Sequence, residues 1–203
     1  MAAAKMLSLA AAAALLACGA AAEGEELDWG TTVTNVVTRS TRCNGGAGYA
    51  PVEGLSPGQQ IYCDRDYAFT RLPAFLRGTT LIQTANSDKH SGRGDPAEQQ
   101  PDFVCFDVAT EVTVYLLYDS RVDRSNKPTW LTAKFVGQHV SVAAVNDAGM
   151  GEMEVWVYNT AGAETVCLGG NDAPAHTGTR SNYVAAVGPL VDHSADLFNH
   201  ELR

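Results

Sequence analysis

The chain has 203 residues, a formal net charge of −9 with histidine neutral, and a composition that is 45% hydrophobic and 18% charged. So acidic a chain repels phosphate backbones, which argues against nucleic acid as a partner. The length left after a cleaved leader, roughly 180 residues, suits one domain with a substantial core and is short for two.

Lys5 precedes an Ala/Leu-rich run over 6–17 that is too short to cross a bilayer and reads as a signal peptide. Ala20 and Ala22 supply an Ala-x-Ala cleavage pattern ahead of the acidic Glu23-Gly24-Glu25-Glu26. The expectation is a signal peptide over 1–22 and a secreted chain from Glu23. The alternative is a lipid anchor, because Leu15-Leu16-Ala17-Cys18 resembles a bacterial lipobox with an unusual Leu at its second position. Either route leaves Cys43, Cys63, Cys105 and Cys167. Four cysteines in an exported chain, none in a Cys-x-x-Cys pair, point to two disulfides rather than to zinc or a redox motif. Three connectivities are open; Cys43–Cys63 with Cys105–Cys167 joins nearest neighbours and is preferred. No later apolar run approaches membrane-spanning length, so no membrane span is expected.

Alternation of apolar and polar residues dominates the rest, and helical periodicity is nearly absent before the last dozen residues. Residues 31–38 (TTVTNVVT) predict the first strand, ahead of a Gly-rich loop over 43–48. Short strands follow at 60–69, 79–84 and 103–108, bounded by Pro, Gly, Asn and Asp. The strongest is 111–119 (EVTVYLLYD), with Val112, Val114, Leu116 and Tyr118 on one face and Thr113, Tyr115 and Leu117 on the other. Both faces are apolar enough for a central strand whose outer face is partly covered by loops. Residues 140–145 and 152–158 read as a hairpin across Asn146-Asp147-Ala148-Gly149, and 165–168 and 182–187 complete the set. The polar stretch 85–101 is expected to be a surface loop, and the tail from Ser194 a short helix. This is an all-β, antiparallel β-sandwich, jelly-roll-like, of about eight to ten strands.

Motifs with catalytic overtones fail on mechanism. Gly54-Leu55-Ser56-Pro57-Gly58 matches Gly-x-Ser-x-Gly, but Pro57 has no N–H to offer an oxyanion and a strand, not a helix, is predicted to follow. Arg93-Gly94-Asp95 is a three-residue adhesion motif in a solvated loop. His193 and His200, with Asp192 and Asp196, lie on a terminal tail without the supporting groups a metal needs. Asp64-Arg65-Asp66 and Asp119-Ser120-Arg121 read as ion pairs near strand ends. No catalytic set, metal or cofactor is expected.

The strand 152–158 is the exception. Its alternation places Met153, Val155 and Val157 on an apolar face and Glu154, Trp156 and Tyr158 on the opposite one. If outward-facing, aromatic rings beside a carboxylate form a platform on which sugars stack. The competing expectation is that Trp156 and Tyr158 lie under a loop or the tail.

Residues 62–69 (YCDRDYAF), Leu72-Pro73, 78–89 (GTTLIQTANSDK), 103–108, 112–121, Pro128-Thr129-Trp130-Leu131 and Leu168-Gly169-Gly170-Asn171 together resemble the β-sandwich accessory domains found beside catalytic modules in secreted polysaccharide lyases and other glycan-processing proteins. The resemblance covers about two thirds of the chain, without a catalytic module and without these cysteines in the pattern. It implies a sandwich in a carbohydrate context, with Trp130 and Pro128 plugging one end of the core and Asp119 and Arg121 pairing with Asp64 or Arg65. Ligand contacts would come from loops: Asn86, Asp88, Lys89 and Arg93 in one, and 171–182 in another.

The resulting expectation is a signal peptide at 1–22, one domain over 23–192 and a tail over 193–203. The chain would be a monomeric, secreted, noncatalytic module recognising glycan through Glu154, Trp156, Tyr158 and the 86–93 loop. The alternative is an extracellular structural or protein-interaction domain, with a polysaccharide-processing enzyme third.

Overall fold

The computed structural model describes residues 33–90, 101–143, 149–150, 152–171 and 181–191. The leader, Cys18, Arg93-Gly94-Asp95, turn residues 146–148 and the tail from His193 lie outside them. Along the described chain run β1 (Val33–Thr38), β2 (Ala50–Val52), β3 (Thr80–Gln83), β4 (Val104–Val108), β5 (Val112–Asp119), α1 (Thr129–Lys134), β6 (Val136–Ala143), β7 (Glu152–Asn159), β8 (Glu164–Leu168) and β9 (Val184–Pro189).

The nine strands form two antiparallel sheets, one ordered β1-β4-β8 and the other β2-β3-β9-β5-β7-β6. The fold is an all-β sandwich. Alternation along β5 decides the layers, because Val112, Val114, Leu116 and Tyr118 face Val104, Phe106, Val108, Val166 and Leu168 of the smaller sheet in one core. Tyr115 and Leu117 point the other way, into a second core closed by Leu55, Ile61, Tyr62, Phe69, Leu72 and Leu76. The larger sheet is therefore buried on both faces, and the cover on the second comes from the non-strand segment 53–79.

That segment corrects the strand expected at 60–69. Only isolated bridges, Gln60 to Ala68 and Tyr62 to Thr84, form there. Ile61, Tyr62 and Phe69 are apolar because they plug the sheet from above, and the Tyr62 hydroxyl donates to the Asn182 carbonyl at 2.5 Å. Two further elements were not anticipated. β2 is a three-residue edge strand, and α1 is a helix of under two turns, too short to show a 3.6-residue period. Pro128 is buried at the start of α1, and Trp130 packs edge-on against Tyr183 and Phe135 with ring centroids 5.5 and 6.3 Å apart. Trp130 packs against the core between the sheets.

Two disulfides brace the sandwich. Cys43 pairs with Cys63, and Cys105 pairs with Cys167 directly across β4 and β8.

Candidate functional site

One end of the sandwich carries a connected set of polar side chains. β5 ends there at Asp119, whose fully buried carboxylate accepts from the Ser181 amide at 2.6 Å and from the Arg121 amide and guanidinium Nε at 3.0 and 2.9 Å. The next residue, Asn182, donates its backbone N–H to Asn86 Oδ1 at 3.0 Å and its side-chain amide to the Ala85 carbonyl at 2.9 Å. The Asn86 and Ser87 amides donate in turn to Asp64 at 2.7 and 3.0 Å. Burial pushes the Asp64 carboxyl up, but hydrogen bonds from the Ser87 hydroxyl and these two amides, with Arg65 alongside, win and hold it below the ordinary carboxylate value. Asp119 thus pairs with Arg121, and Asp64 with Arg65 at 3.2 Å, each within its own motif.

The outward aromatic platform expected on β7 is not there. Trp156 is 3% exposed and belongs to the core between the sheets, while Met153, Val155 and Val157 fill the second core. At Trp156 both faces of β7 are covered, while Glu152, Glu154 and Tyr158 on the same face as the indole remain exposed or half-buried. Gly137 on β6 lets the backbone press against the indole, where a Cβ would lie 3.1 Å from Cη2. Arg124 and Lys127 stand 5.9 and 5.8 Å from the ring centroid. Tyr158 is half-buried beside Phe135, donates to Glu164 at 2.9 Å and carries the Lys134 ammonium 4.2 Å from its ring centroid. Burial, then the Glu164 carboxylate, raises the Tyr158 phenol. Trp156 and Tyr158 do not form a shared open surface.

Trp156 does reach a cleft. A depression of about 450 Å³ opens between the 120–127 segment and β6–β7, lined by Arg124, Lys127, Gln138, Glu152 and Glu154 with the indole at its base. Trp156 Nε1 donates to Glu154 Oε2 at 3.1 Å, and the same oxygen lies 3.2 Å from the Lys127 ammonium, which is 2% exposed and also donates to the Val122 carbonyl. Glu154 is held by two donors while a third of its side-chain surface faces solvent. A carboxylate, an amide and a guanidinium around the edge of a nearly buried indole are groups that hydrogen-bond vicinal hydroxyls. Arg124, Lys127 and Gln138 carried no signal in the sequence, because the first two lie in an irregular segment, the third lies on β6, and none belongs to a motif.

The 86–93 candidates behave differently. Asn86 is buried and spent on the Asn182 amide, so it is an internal support and not a ligand contact. Asp88 accepts from Ser40, Arg42 and Tyr49 at 2.5, 2.7 and 2.8 Å. Lys89 accepts through its carbonyl from Asn171 at 3.0 Å. Among the described residues no group of three His, Cys, Asp or Glu side chains could hold a metal ion.

No protein-family model matches the chain, and no curated protein matches it. Solved structures do. A beta-glucuronidase from glycoside hydrolase family 2 superposes with a TM-score of 0.60 at 19% identity, over 77% of this chain and 14% of that one. A GH138 enzyme targeting pectin rhamnogalacturonan II aligns with a TM-score of 0.42 at 14% identity, over 68% of this chain and 15% of that one. The chain therefore spans about a seventh of the enzymes it matches, and the first likeness establishes the fold.

Proposed function

We propose that the chain is a secreted, noncatalytic β-sandwich module, one domain over 23–192, that recognises carbohydrate in the cleft floored by Trp156. The observation that carries this reading is the convergence of Glu152, Glu154, Gln138 and Arg124 around the indole edge in one depression. Glu154 is already oriented by Trp156 and Lys127, which lowers the ordering cost of binding a hydroxylated ligand. The sandwich shared with part of a family 2 beta-glucuronidase, alongside the resemblance to accessory domains of glycan-processing enzymes, is in keeping with a carbohydrate context. Two disulfides are compatible with an extracellular location.

Burial of Trp156 favours the second reading, an extracellular structural or protein-interaction domain, over any flat stacking surface. A glycan array spanning plant, algal and bacterial polysaccharides separates the two, followed by titration of intrinsic tryptophan fluorescence with each hit. Binding that is weakened by Gln138→Ala and Arg124→Ala in protein of unchanged circular dichroism is expected. Folded protein that binds nothing on the array overturns the proposal and leaves the second reading.

A further inference from the structure

A second cleft, of about 580 Å³, lies where the chain leaves β1 and meets the 86–88 turn, and its wall is built from Arg39, Arg42, Arg65, Asp64, Asp88 and hydroxyl-bearing neighbours. Three guanidinium groups around one depression are unusual on a chain with fourteen Lys and Arg against twenty-three Asp and Glu. Their arrangement is more informative than their number. Each is fixed by a carboxylate: Arg39 by Asp102 at 2.7 Å, Arg42 by Asp88 at 2.7 Å, and Arg65 by Asp64 at 3.2 Å with the Ser87 hydroxyl at 3.1 Å.

The two carboxylates in the wall sit behind the cations. The Asp88 and Asp64 side chains are 12% and 17% exposed, whereas those of Arg39, Arg42 and Arg65 are 53%, 54% and 40% exposed. Asp88 is engaged by Ser40, Arg42 and Tyr49, and Asp64 by two backbone amides and Arg65, so their oxygens are turned inward onto protein donors. Asp102, itself 50% exposed, occupies Nε and Nη2 of Arg39, so the guanidinium N–H turned to solvent ahead of an inward-facing carboxylate is that of Arg42 and Arg65. The Cys43–Cys63 disulfide, whose own Cα atoms are 5.7 Å apart, adjoins Arg42 on one side and Asp64-Arg65 on the other and ties the two arginine-bearing segments together. Half-exposed arginines oriented by a carboxylate behind them take oxyanions through their remaining N–H groups.

We infer that this cleft is an oxyanion subsite that receives the carboxylate or sulfate of an acidic glycan. The inference deepens the carbohydrate reading through a site separate from the Trp156 cleft, and it gives an acidic protein a local means of holding an acidic chain.

Calorimetric titration of the full chain with oligogalacturonate and with its fully methyl-esterified counterpart tests it, beside a sulfated galactan oligosaccharide and its desulfated form. The charged member of at least one pair is expected to bind about tenfold or more tightly than its uncharged partner, with an affinity that falls as salt is raised. Whichever pair shows this identifies the anion. Arg42→Ala with Arg65→Ala is expected to erase the preference, and Arg42→Lys to restore part of it, while binding of neutral glycans at the Trp156 cleft stays unchanged. Equal affinity for charged and uncharged members of both pairs overturns the inference, and needs no variant to fold. Neutral binding then leaves the proposed function standing, whereas no binding to any glycan removes both.

Discussion

Gly169 lies against the indole of Trp130: a Cβ at 169 would stand 2.4 Å from Cδ1 and 2.6 Å from Nε1. The adjacent carbonyl, of Gly170, accepts the Trp130 Nε1–H at 3.0 Å, and the ring meets Tyr183 and Phe135 edge-on. The short helix α1 is thus keyed to the end of β8 by a contact only glycine permits.

Gly169→Ala is expected to cost about 1–3 kcal/mol, the usual range for overpacking a filled site. Urea denaturation followed by far-ultraviolet circular dichroism reads this out. A change below a few tenths of a kcal/mol would mean that the indole has room to move.

Lys127 and Glu154 form the other unusual pair, an ammonium buried between the Tyr118 and Trp156 rings, 5.6 and 5.8 Å from their centroids, and 3.2 Å from a carboxylate. Removing Lys127 leaves Glu154 with only its indole donor and opens a cavity, so Lys127→Ala is expected to destabilise by about 2–5 kcal/mol. Lys127→Met keeps the volume and discards the desolvated charge, and is expected to recover most of the loss. Equal losses in the two variants would show that the charge, not the packing, is what the site requires.

Much of the sandwich was legible because period-two alternation is a direct record of burial. β5, with residues of one parity in each core, follows from the sequence, whereas the pairing of Cys105 with Cys167 was one preference among three connectivities until β4 and β8 set them opposite each other. The same rule misled at Trp156, since alternation cannot distinguish a solvent face from a second interior. It misled again at 60–69, where Ile61, Tyr62 and Phe69 are spaced to cap a sheet without joining it. Neither cleft was visible as a whole. Arg39, Arg42, Asp64 and Asp88 are brought together by a disulfide and a turn, and Lys127 becomes notable only once two rings and a carboxylate close around it.

The disulfides are expected to differ in weight. The 62-residue separation of Cys105 and Cys167 against 20 for Cys43 and Cys63 corresponds, on the chain-entropy model, to about 4 and about 3 kcal/mol. Paired Cys105→Ser and Cys167→Ser substitutions should therefore lower the midpoint of denaturation at least as far as the Cys43 and Cys63 pair. Thiol titration of the oxidised, exported chain under denaturing conditions should find none of these four free.

Acid stability should depend on Asp64. Its carboxyl is held below the ordinary value of 3.8, so the folded state binds this proton less readily than the unfolded chain does. The stabilisation is complete above about pH 5, declines as pH falls past the unfolded value, and is lost below the depressed folded value. Asp64→Asn removes the titrating group, and the slope of stability against pH below 4 is expected to flatten relative to the parent. An unchanged acid limb would place the acid sensitivity in other carboxylates.

At the alkaline end the sign reverses through the tyrosines. Burial raises the Tyr62 and Tyr183 phenols well above their ordinary value of 10.0 and lifts Tyr115 to about 12, and it raises Tyr49 with help from the Asp88 carboxylate. Above pH 10 the unfolded chain releases these protons while the folded one retains them, so stability is full below that point and falls as pH rises. Phenolate absorbance on raising the pH should therefore appear in two stages. Half-buried Tyr158 ionises ahead of the buried set, which follows only as near-ultraviolet circular dichroism is lost. If all seven tyrosines ionise together near pH 10 with that signal intact, the second core is open to water and the 53–79 cover does not seal it.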